Sequence, residues 1–342
     1  MSKRAILRSA GLAGALWLCL STAAPAAERD ANASGREPPA VSLRLDTFVR
    51  IVLINHPELE VAAPDADPDR KARPTLGTQL VVWAPTGGEA AEAKLRRRVD
   101  TVLFQATEAY WEQVLRLEDV QLRERALAEA AATARGVNRG AGKDTSALPL
   151  RTAQTYLTEM RIALHRSRQE AELGEDRLKL MMNDEALRVE SETEIDLLDE
   201  APEPPPPGDL DLDDGIHEAI RDRLGGQENR QDRAGRRKTE TVAFEVKAAR
   251  RRAGDARAMF LLATERRDAA EKALQAADRD EETREPTTPG HVLARIRAAD
   301  ALTDADRQLA AARVDYQIAL AAWRRARGDL HEEWHVGVEV RQ

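Results

Sequence analysis

The sequence predicts an all-α protein built from two long antiparallel coiled-coil helical hairpins in tandem, with at most one short strand. Three observations lead to this prediction. Charged residues make up 33% of the chain and aromatic residues only 4%, a composition typical of long packed helices. Apolar residues recur at alternating steps of three and four residues over four long stretches. Turns that contain glycine or proline separate the two stretches of each pair, so we expect the paired helices to be antiparallel.

The N-terminus has the pattern of a secretory signal peptide. A basic start is followed by a short apolar stretch and by an A-x-A sequence that ends at Ala26. We therefore expect residues 1–26 to be removed on export and residues 27–41 to form a disordered lead-in. Cys19, the single cysteine of the chain, lies in the signal peptide. The exported protein would then contain no thiol, which suits an oxidising compartment.

Residues 42–183 form the first predicted repeat. A short amphipathic helix over Leu43–Leu59 is followed by the one predicted strand, Leu76–Trp83. A long helix over Glu89–Arg135 then ends in a glycine-rich turn, and a second long helix begins near Ser146, which is a suitable N-cap. The apolar seams of these two helices run from Val99 to Ala134 and from Leu150 to Met181.

An acidic, proline-rich stretch separates the two repeats. Residues 184–214 carry one basic side chain and four consecutive prolines, so we expect an extended linker there. The second repeat covers residues 215–335, and residues 336–342 are predicted to be a tail.

The second repeat has the same plan as the first. A short helix over Gly215–Leu224 precedes a long helix with an apolar seam from Val242 to Ala277. In the last helix, from Ala298 to Leu330, alanine alternates with a large residue along the seam. Small residues in one row allow two helix backbones to approach closely, and a strict 3.5-residue period implies a left-handed supercoil.

Three polar residues interrupt the apolar seams: Gln113, Glu124 and Arg267. They could face a lumen or fix the register between helices. Alternatively, they could extend to solvent at the edge of a seam, and the sequence favours this second interpretation.

The charge pattern argues against several classes of function. The net charge is -8 and the basic residues are interleaved with acids, whereas a nucleic-acid-binding protein would normally have a basic face. The sequence has no phosphate-binding glycine loop, no nucleophile elbow and no Cys–His pair. We therefore expect no enzyme activity, no cofactor and no catalytic or metal-binding residues.

One motif points to a remote alternative. His331-Glu332-Glu333-Trp334-His335 matches H-E-x-x-H, in which two histidines on one helix face bind zinc and the glutamate acts as general base. A zinc-dependent hydrolase needs a third ligand downstream and a substrate cleft. Only seven residues follow the motif, and Glu339 is their sole candidate ligand. The alternative interpretation is a polar tail at the end of a helix.

The order of these elements resembles the TolC family of outer-membrane efflux proteins. Each repeat of that family has a short helix, a β-hairpin, and two long helices joined by a turn. Three local patterns carry the resemblance over residues 42–332: the helix end Asn55-His56-Pro57-Glu58-Leu59, the pair Ala109-Tyr110, and the spacing of Ala298, Leu302, Ala305, Leu309 and Ala312 in the final helix.

The resemblance implies a homotrimer that spans the periplasm as a helical tunnel and works with a periplasmic adaptor and an inner-membrane pump. It also implies an exported protein of the outer membrane or periplasm. The family has four barrel strands in each chain, whereas this sequence offers one, so most of the barrel strands are expected to be missing. The function expected is therefore a TolC-like component of an efflux or export assembly. The alternative is a structural periplasmic coiled-coil scaffold that does not transport.

Overall fold

The computed structural model describes residues 40–62, 80–84, 88–140, 147–205, 212–224, 233–283 and 289–340. The predicted signal peptide and the lead-in up to residue 39 lie outside these ranges. The described ranges contain seven helices and five short strands, together with a single 3-10 turn, Glu185–Leu187. In chain order the helices and strands are β1 (Ala40–Leu43), α1 (Leu45–Asn55), β2 (Glu60–Ala62), β3 (Leu80–Ala84), α2 (Gly88–Gly140), α3 (Ala147–Met182), β4 (Glu194–Leu197), α4 (Leu212–Leu224), α5 (Arg233–Thr283), α6 (Pro289–Arg327), α7 (Leu330–Glu333) and β5 (Val336–Val340).

The two predicted helical hairpins are present. In the first, the Gln113 side chain of α2 donates to the carbonyl of Ala171 in α3 at 2.9 Å. Further along α2, Glu124 pairs with Arg168, so residue numbers rise in one helix as they fall in the other. In the second hairpin, Asp278 of α5 pairs with Arg295 of α6 at 2.9 Å, whereas Arg267 of α5 pairs with Asp306 of α6 at 3.3 Å. Both pairs of long helices are therefore antiparallel, as the short turns predicted.

The hairpins pack on each other through α2 and α6, which gives the four long helices the order α3, α2, α6, α5. This places α3 and α5 at the two edges. α6 is buried on two faces because it lies between two helices. Leu309 and Ala312 pack toward α5, whereas Val292 and Ile296 pack against the first hairpin.

The predicted seams agree well with burial in α3 and in the first half of α2. Toward the hairpin tip, however, the fully buried row of α2 differs from the predicted seam. It consists of Leu122, Ala126, Ala130 and Val137 instead of the row from Val120 to Ala134. The reason is that this part of α2 contacts both α3 and α6, so the side chains between the two contacts are the most enclosed.

The largest core lies at the end of the bundle where α2 begins. It joins α1, the strands, the first turns of α2, the last turns of α3, and α7, and its largest fully buried side chains are Tyr110, Phe48, Leu43, Leu53, Leu80, Leu103, Leu178, Met182, Leu187 and Leu330. We call this region the sheet end, and the opposite end, where the hairpins turn, the tip. None of the helices in the described ranges has a stretch long and apolar enough to cross a membrane.

The structure adds four short strands to the one predicted. β3 (Leu80–Ala84) corresponds to the predicted strand; it pairs antiparallel with β2 and parallel with β5. β1 pairs parallel with β4. These added strands have only three to five residues, and all but β2 pair with a strand far away in sequence, so they leave little local pattern to detect. β5 also corrects the predicted tail, because residues 336–340 belong to a sheet.

A few apolar residues anchor the predicted linker to the core, although most of its side chains are exposed. Leu187, Ile195, Leu197 and Ala201 are buried against the sheet end, and β4 lies within the stretch. The sequence did not predict this packing because the apolar residues are few and lie among many acids and prolines. The extended-linker prediction is therefore wrong for residues 184–205, whereas residues 206–211 lie outside the described ranges. Likewise, β1 starts at Ala40, within the predicted disordered lead-in.

Helix ends follow local rules. α1 ends at Asn55 instead of Leu59 because His56 precedes a proline and adopts an extended conformation. α6 ends at Arg327, where Gly328 takes φ 93°. The amides of Gly328 and Asp329 donate back to the carbonyls of Arg325 and Arg324, which closes the helix in a Schellman arrangement. α2 continues to Gly140, past the predicted end at Arg135.

Candidate functional site

The H-E-x-x-H segment is not arranged as a zinc site. α7 covers only Leu330–Glu333, and His335 lies beyond it with φ 53° and an exposed side chain. The two histidines therefore do not share a helix face. His331 is buried, and both its Nδ1 and its backbone N lie 2.9 Å from Asp100 Oδ1. Within the described ranges, no group of three or more His, Cys, Asp or Glu side chains is placed to hold a metal ion.

The pair His331 and Asp100 has a clear packing role. Both side chains are buried at the sheet end, where an unpaired carboxylate would be strongly destabilising. The backbone amide and the ring of His331 both satisfy Asp100. The pair therefore fastens α7 to the first turns of α2.

Gln113 does not extend to solvent. Its side chain is only 3% exposed, and its amide donates across the α2–α3 contact to Ala171. The opposite helix accommodates it with Gly174, because a Cβ at that position would collide with the Gln113 amide oxygen. Gln113 and Gly174 thus form a matched pair that fixes the register of the first hairpin, which is the alternative the sequence disfavoured.

The other two polar seam residues lie at seam edges, as expected. Glu124 is partly exposed and pairs with Arg168 at 2.8 Å. Arg267 pairs with Glu271 at 2.9 Å and with Asp306 at 3.3 Å. These are partly solvated ion pairs and contribute little to stability individually.

A set of arginines on α6 joins the two hairpins. Arg307 contacts Asp119 of α2, and Asp119 in turn accepts a short hydrogen bond from Ser167 of α3. Arg295 pairs with Asp278 of α5 and with Glu129 of α2. Each arginine thus connects helices that belong to different hairpins. The heptad pattern of α6 predicts only one seam, so these residues were not predicted from the sequence.

Exposed apolar side chains lie in rows along the two edge helices. On α3 they are Leu148, Ile162, Leu173 and Leu180, and on α5 they are Phe244, Met259, Leu261 and Leu262. Ile162, Leu173 and Leu180 recur every two or three turns on one face, and Phe244 and Leu262 are five full turns apart. Single exposed apolar residues are normal, whereas rows of them on both edges are candidate interaction surfaces.

Solved structures of membrane proteins have a similar fold. A membrane protein from Pseudomonas aeruginosa aligns with a TM-score of 0.54 at 13% identity, over 70% of this chain and 68% of that chain. The outer-membrane channel OprN aligns with a TM-score of 0.52 at 15% identity, over 70% and 68%. CusC, a protein that forms a transmembrane channel, aligns with a TM-score of 0.54 at 12% identity, over 70% of each chain. No protein-family model matches the chain, and no curated protein matches it in sequence.

At these identities the likeness establishes the fold and leaves the activity to be argued separately. The likeness agrees with the resemblance drawn from the sequence. The chain therefore has a TolC-like fold, that of the outer-membrane efflux channels.

Proposed function

We propose that the exported chain is a TolC-like component of an efflux or export assembly and that its long helices form part of a conduit across the periplasm. In this proposal the protein resides in the outer membrane or periplasm and has no enzymatic activity. It works with a periplasmic adaptor and an inner-membrane pump.

One observation carries the proposal: in the described part of the chain, the two edge helices of the row of four both expose apolar side chains. α3 and α5 run in opposite directions, because each neighbouring pair in the order α3, α2, α6, α5 is antiparallel. If copies associate with α3 of one against α5 of the next, every helix in the assembly keeps an antiparallel neighbour. Such head-to-tail contacts close into a ring, and the family resemblance indicates three copies.

The height of the apolar residues supports this arrangement. Leu173 lies at the level of Gln113 on α2, since Gln113 bonds to Ala171. On the other edge, Arg267 marks a level of α5 opposite Asp306 of α6. Arg307, next to Asp306, pairs with Asp119 of α2, so Arg267 and Asp119 lie at about the same level. Gln113 lies further toward the sheet end on α2, and an equal step from Arg267 along α5 leads to Met259 and Leu262. These two residues are therefore at about the same level as Leu173. Apolar side chains on the two edges can therefore meet between copies.

The test is complementation of a strain that lacks the gene. Cells with the wild-type gene should retain less of at least one compound from a panel of dyes, detergents and metal ions than cells without it. The variant Leu173→Glu with Leu262→Glu should fail to complement, because it places charges in the contact between copies. Ile54→Glu, on the partly exposed α1, is the matched control and should complement.

Equal retention of every compound in all strains would contradict the transport role. If the wild-type chain still formed oligomers in that case, the protein would be a structural scaffold. Failure of the Ile54→Glu control alone would indicate a general effect of an added carboxylate.

A further inference from the structure

An exposed acidic loop follows α3 at one edge of the bundle. We define it as residues 185–194, and its outward side chains include Glu190, Glu192 and Glu194. In the part of the chain that the structure describes, these three carboxylates have no ion-pair partner. Val189, at 44% exposure, adds an apolar side chain to the same surface.

An exposed basic segment lies at the opposite edge. Residues 236–252 of α5 contain seven basic and only two acidic side chains, in a chain with a net charge of -8. One of the two acids, Glu245, is already paired with Arg223 of α4. Among the described residues, no ion pair engages the exposed side chains Arg236, Arg237, Lys238, Lys247, Arg251 and Arg252.

An apolar side chain lies in the middle of this basic segment. Phe244 is 71% exposed and occupies the face of α5 opposite the buried residues Val242 and Val246. Lys247 and Arg251 follow it at one and two turns along the same face. The surface thus combines an aromatic ring with surrounding positive charges, which is a composition favoured at protein interfaces.

Both surfaces lie at the sheet end. The last turns of α3 pack at Leu178 and Met182 into the same core as Leu103 of α2. On the other side, Val242 and Val246 of α5 pack near Ala326 of α6. α6 leads directly into His331, which is bonded to Asp100 at the start of α2. The acidic loop and the basic segment are therefore at one end of the bundle, on opposite edges.

We propose that the acidic loop of one copy docks on the basic segment of α5 in the next copy. This inference rests on the proposed ring, and it names the charged contact that fixes the order and level of the copies. Among the described residues, no ion pair joins the loop to the segment within one copy. The same chain reaches α5 only further on, at Pro205, whose carbonyl accepts a hydrogen bond from Arg257. A second copy placed head to tail brings the two surfaces together at the same level.

The chemistry of the two surfaces fits this occupant. In the docked arrangement, the carboxylates and Val189 of the loop face the cations and Phe244 of the segment, so both the charges and the apolar side chains find partners. Complementary charges speed association and exclude wrong registers more than they add affinity. The contact should therefore weaken with salt, since exposed charges are screened beyond about 8 Å at physiological ionic strength.

The test is charge reversal and its rescue, measured by the mass of the assembly in solution. Glu190→Lys with Glu192→Lys, and separately Lys247→Glu with Arg251→Glu, should each weaken association by at least about tenfold. The combination of all four changes should recover most of the lost association. Arg297→Glu, at an exposed site on α6 away from both surfaces, is the control and should leave association unchanged.

A cross-link gives an independent measurement. In a full chain with Cys19→Ser, the pair Glu192→Cys and Lys247→Cys should form disulfides between copies, and neither single variant should do so. Oligomers that form normally in both reversal variants and give no cross-link would overturn the docking contact but leave the conduit proposal standing. A wild-type chain that stays monomeric would overturn both proposals. Loss of binding to anionic vesicles, with unchanged oligomers, would assign the basic segment to a lipid surface instead.

Discussion

The hydroxyl of Tyr110 donates a hydrogen bond of 2.9 Å to Asp199 Oδ2. The same carboxylate oxygen accepts from the backbone N of Leu45 at 2.7 Å, at the first turn of α1. Arg44, the N-cap of α1, offers no side-chain cap, so Asp199 performs this role from a distant part of the chain. Tyr110 also donates to the carbonyl of Leu43 at 3.2 Å. A residue of the predicted linker thus fastens α1 to α2.

The first prediction concerns Tyr110→Phe. Burial, and then the hydrogen bond and negative charge of Asp199, raise the pKa of Tyr110, so the phenol is a neutral donor at all ordinary pH values. Removing the hydroxyl leaves the buried carbonyl of Leu43 and the partly buried carboxylate of Asp199 with one fewer partner each. We expect the free energy of unfolding to fall by about 1–3 kcal/mol, measured by urea denaturation.

Tyr156→Phe is the matched control. Tyr156 is also buried in a helix contact, but its hydroxyl has no hydrogen-bond partner among the described residues. Its removal should change stability by less than about 0.5 kcal/mol or increase it slightly. Equal losses in both tyrosine variants would show that the Asp199 contact contributes nothing specific.

The second prediction concerns the pair Gln113 and Gly174. A Cβ at position 174 would collide with the Gln113 amide and lie 2.7 Å from Arg116 Nη1. Gly174→Ala should therefore destabilise the chain by about 1–3 kcal/mol, although alanine is the better helix former. Gln113→Ala in the same chain should remove most of this loss, as a double-mutant cycle would show.

Gly254→Ala is the control for this prediction. Gly254 is exposed within α5, and nothing lies within 4 Å of the position that a Cβ would take. The substitution should stabilise the chain by about 0.5–1 kcal/mol through helix propensity alone. A stabilising effect at Gly174 as well would refute the close contact with Gln113.

The third prediction concerns the pH dependence of stability. Burial raises the pKa of Asp329 from 3.8 to about 6, against the opposing effect of Arg327. The folded state therefore binds this proton more tightly than the unfolded state does. The contribution to stability is complete below about pH 4 and is lost as the pH rises through about 6.

Asp329→Asn should remove this dependence. The urea midpoints of the variant and the wild type should be similar near pH 4, and the variant should be more stable at pH 7.5 by about 1–3 kcal/mol. Glu218 remains as a partner for Arg327 in the variant. A constant difference between the two proteins across this pH range would argue against a protonated Asp329.

The fourth prediction concerns the junction of the hairpins at Arg295. Its guanidinium reaches Asp278, Glu129 and Thr133, on two different helices. Arg295→Ala should cost about 1–3 kcal/mol and increase amide exchange in α2 near Glu129, because partly buried carboxylates lose their partner. Arg297→Ala, two residues further along and exposed, should stay within about 0.5 kcal/mol of the wild type. Equal effects of the two substitutions would contradict the role of Arg295 as a junction.

The long helices could be predicted from the sequence because the spacing of apolar residues along a helix is a local pattern. Seam residues such as Leu103 and Leu164 are buried where the pattern predicted. The pattern does not say how many partners a helix has, so the second buried face of α6 at Val292 and Ile296 was missed. β1 and β4 pair across about 150 residues of sequence, and each strand has only four residues. So short a segment carries too little local pattern to predict a strand.

The candidate site was predictable only in part. The apolar residues on α3 and α5 can be read from the sequence. Their exposure cannot, because it depends on which other helices pack against α3 and α5. The role of Gln113 was predicted wrongly because the sequence does not show which residue of the facing helix lies opposite it. In the structure that residue is Gly174, which leaves room for the Gln113 side chain. The H-E-x-x-H motif was discounted for its missing third ligand, and the structure adds that its helix ends too early.

The most direct test of the account is the native mass of the exported protein, extracted from the cell envelope and viewed end-on by electron microscopy. We expect a closed ring of three copies, in which α3 of each copy contacts α5 of the next. A monomer in both detergent and detergent-free extracts, with no ring in the images, would contradict it.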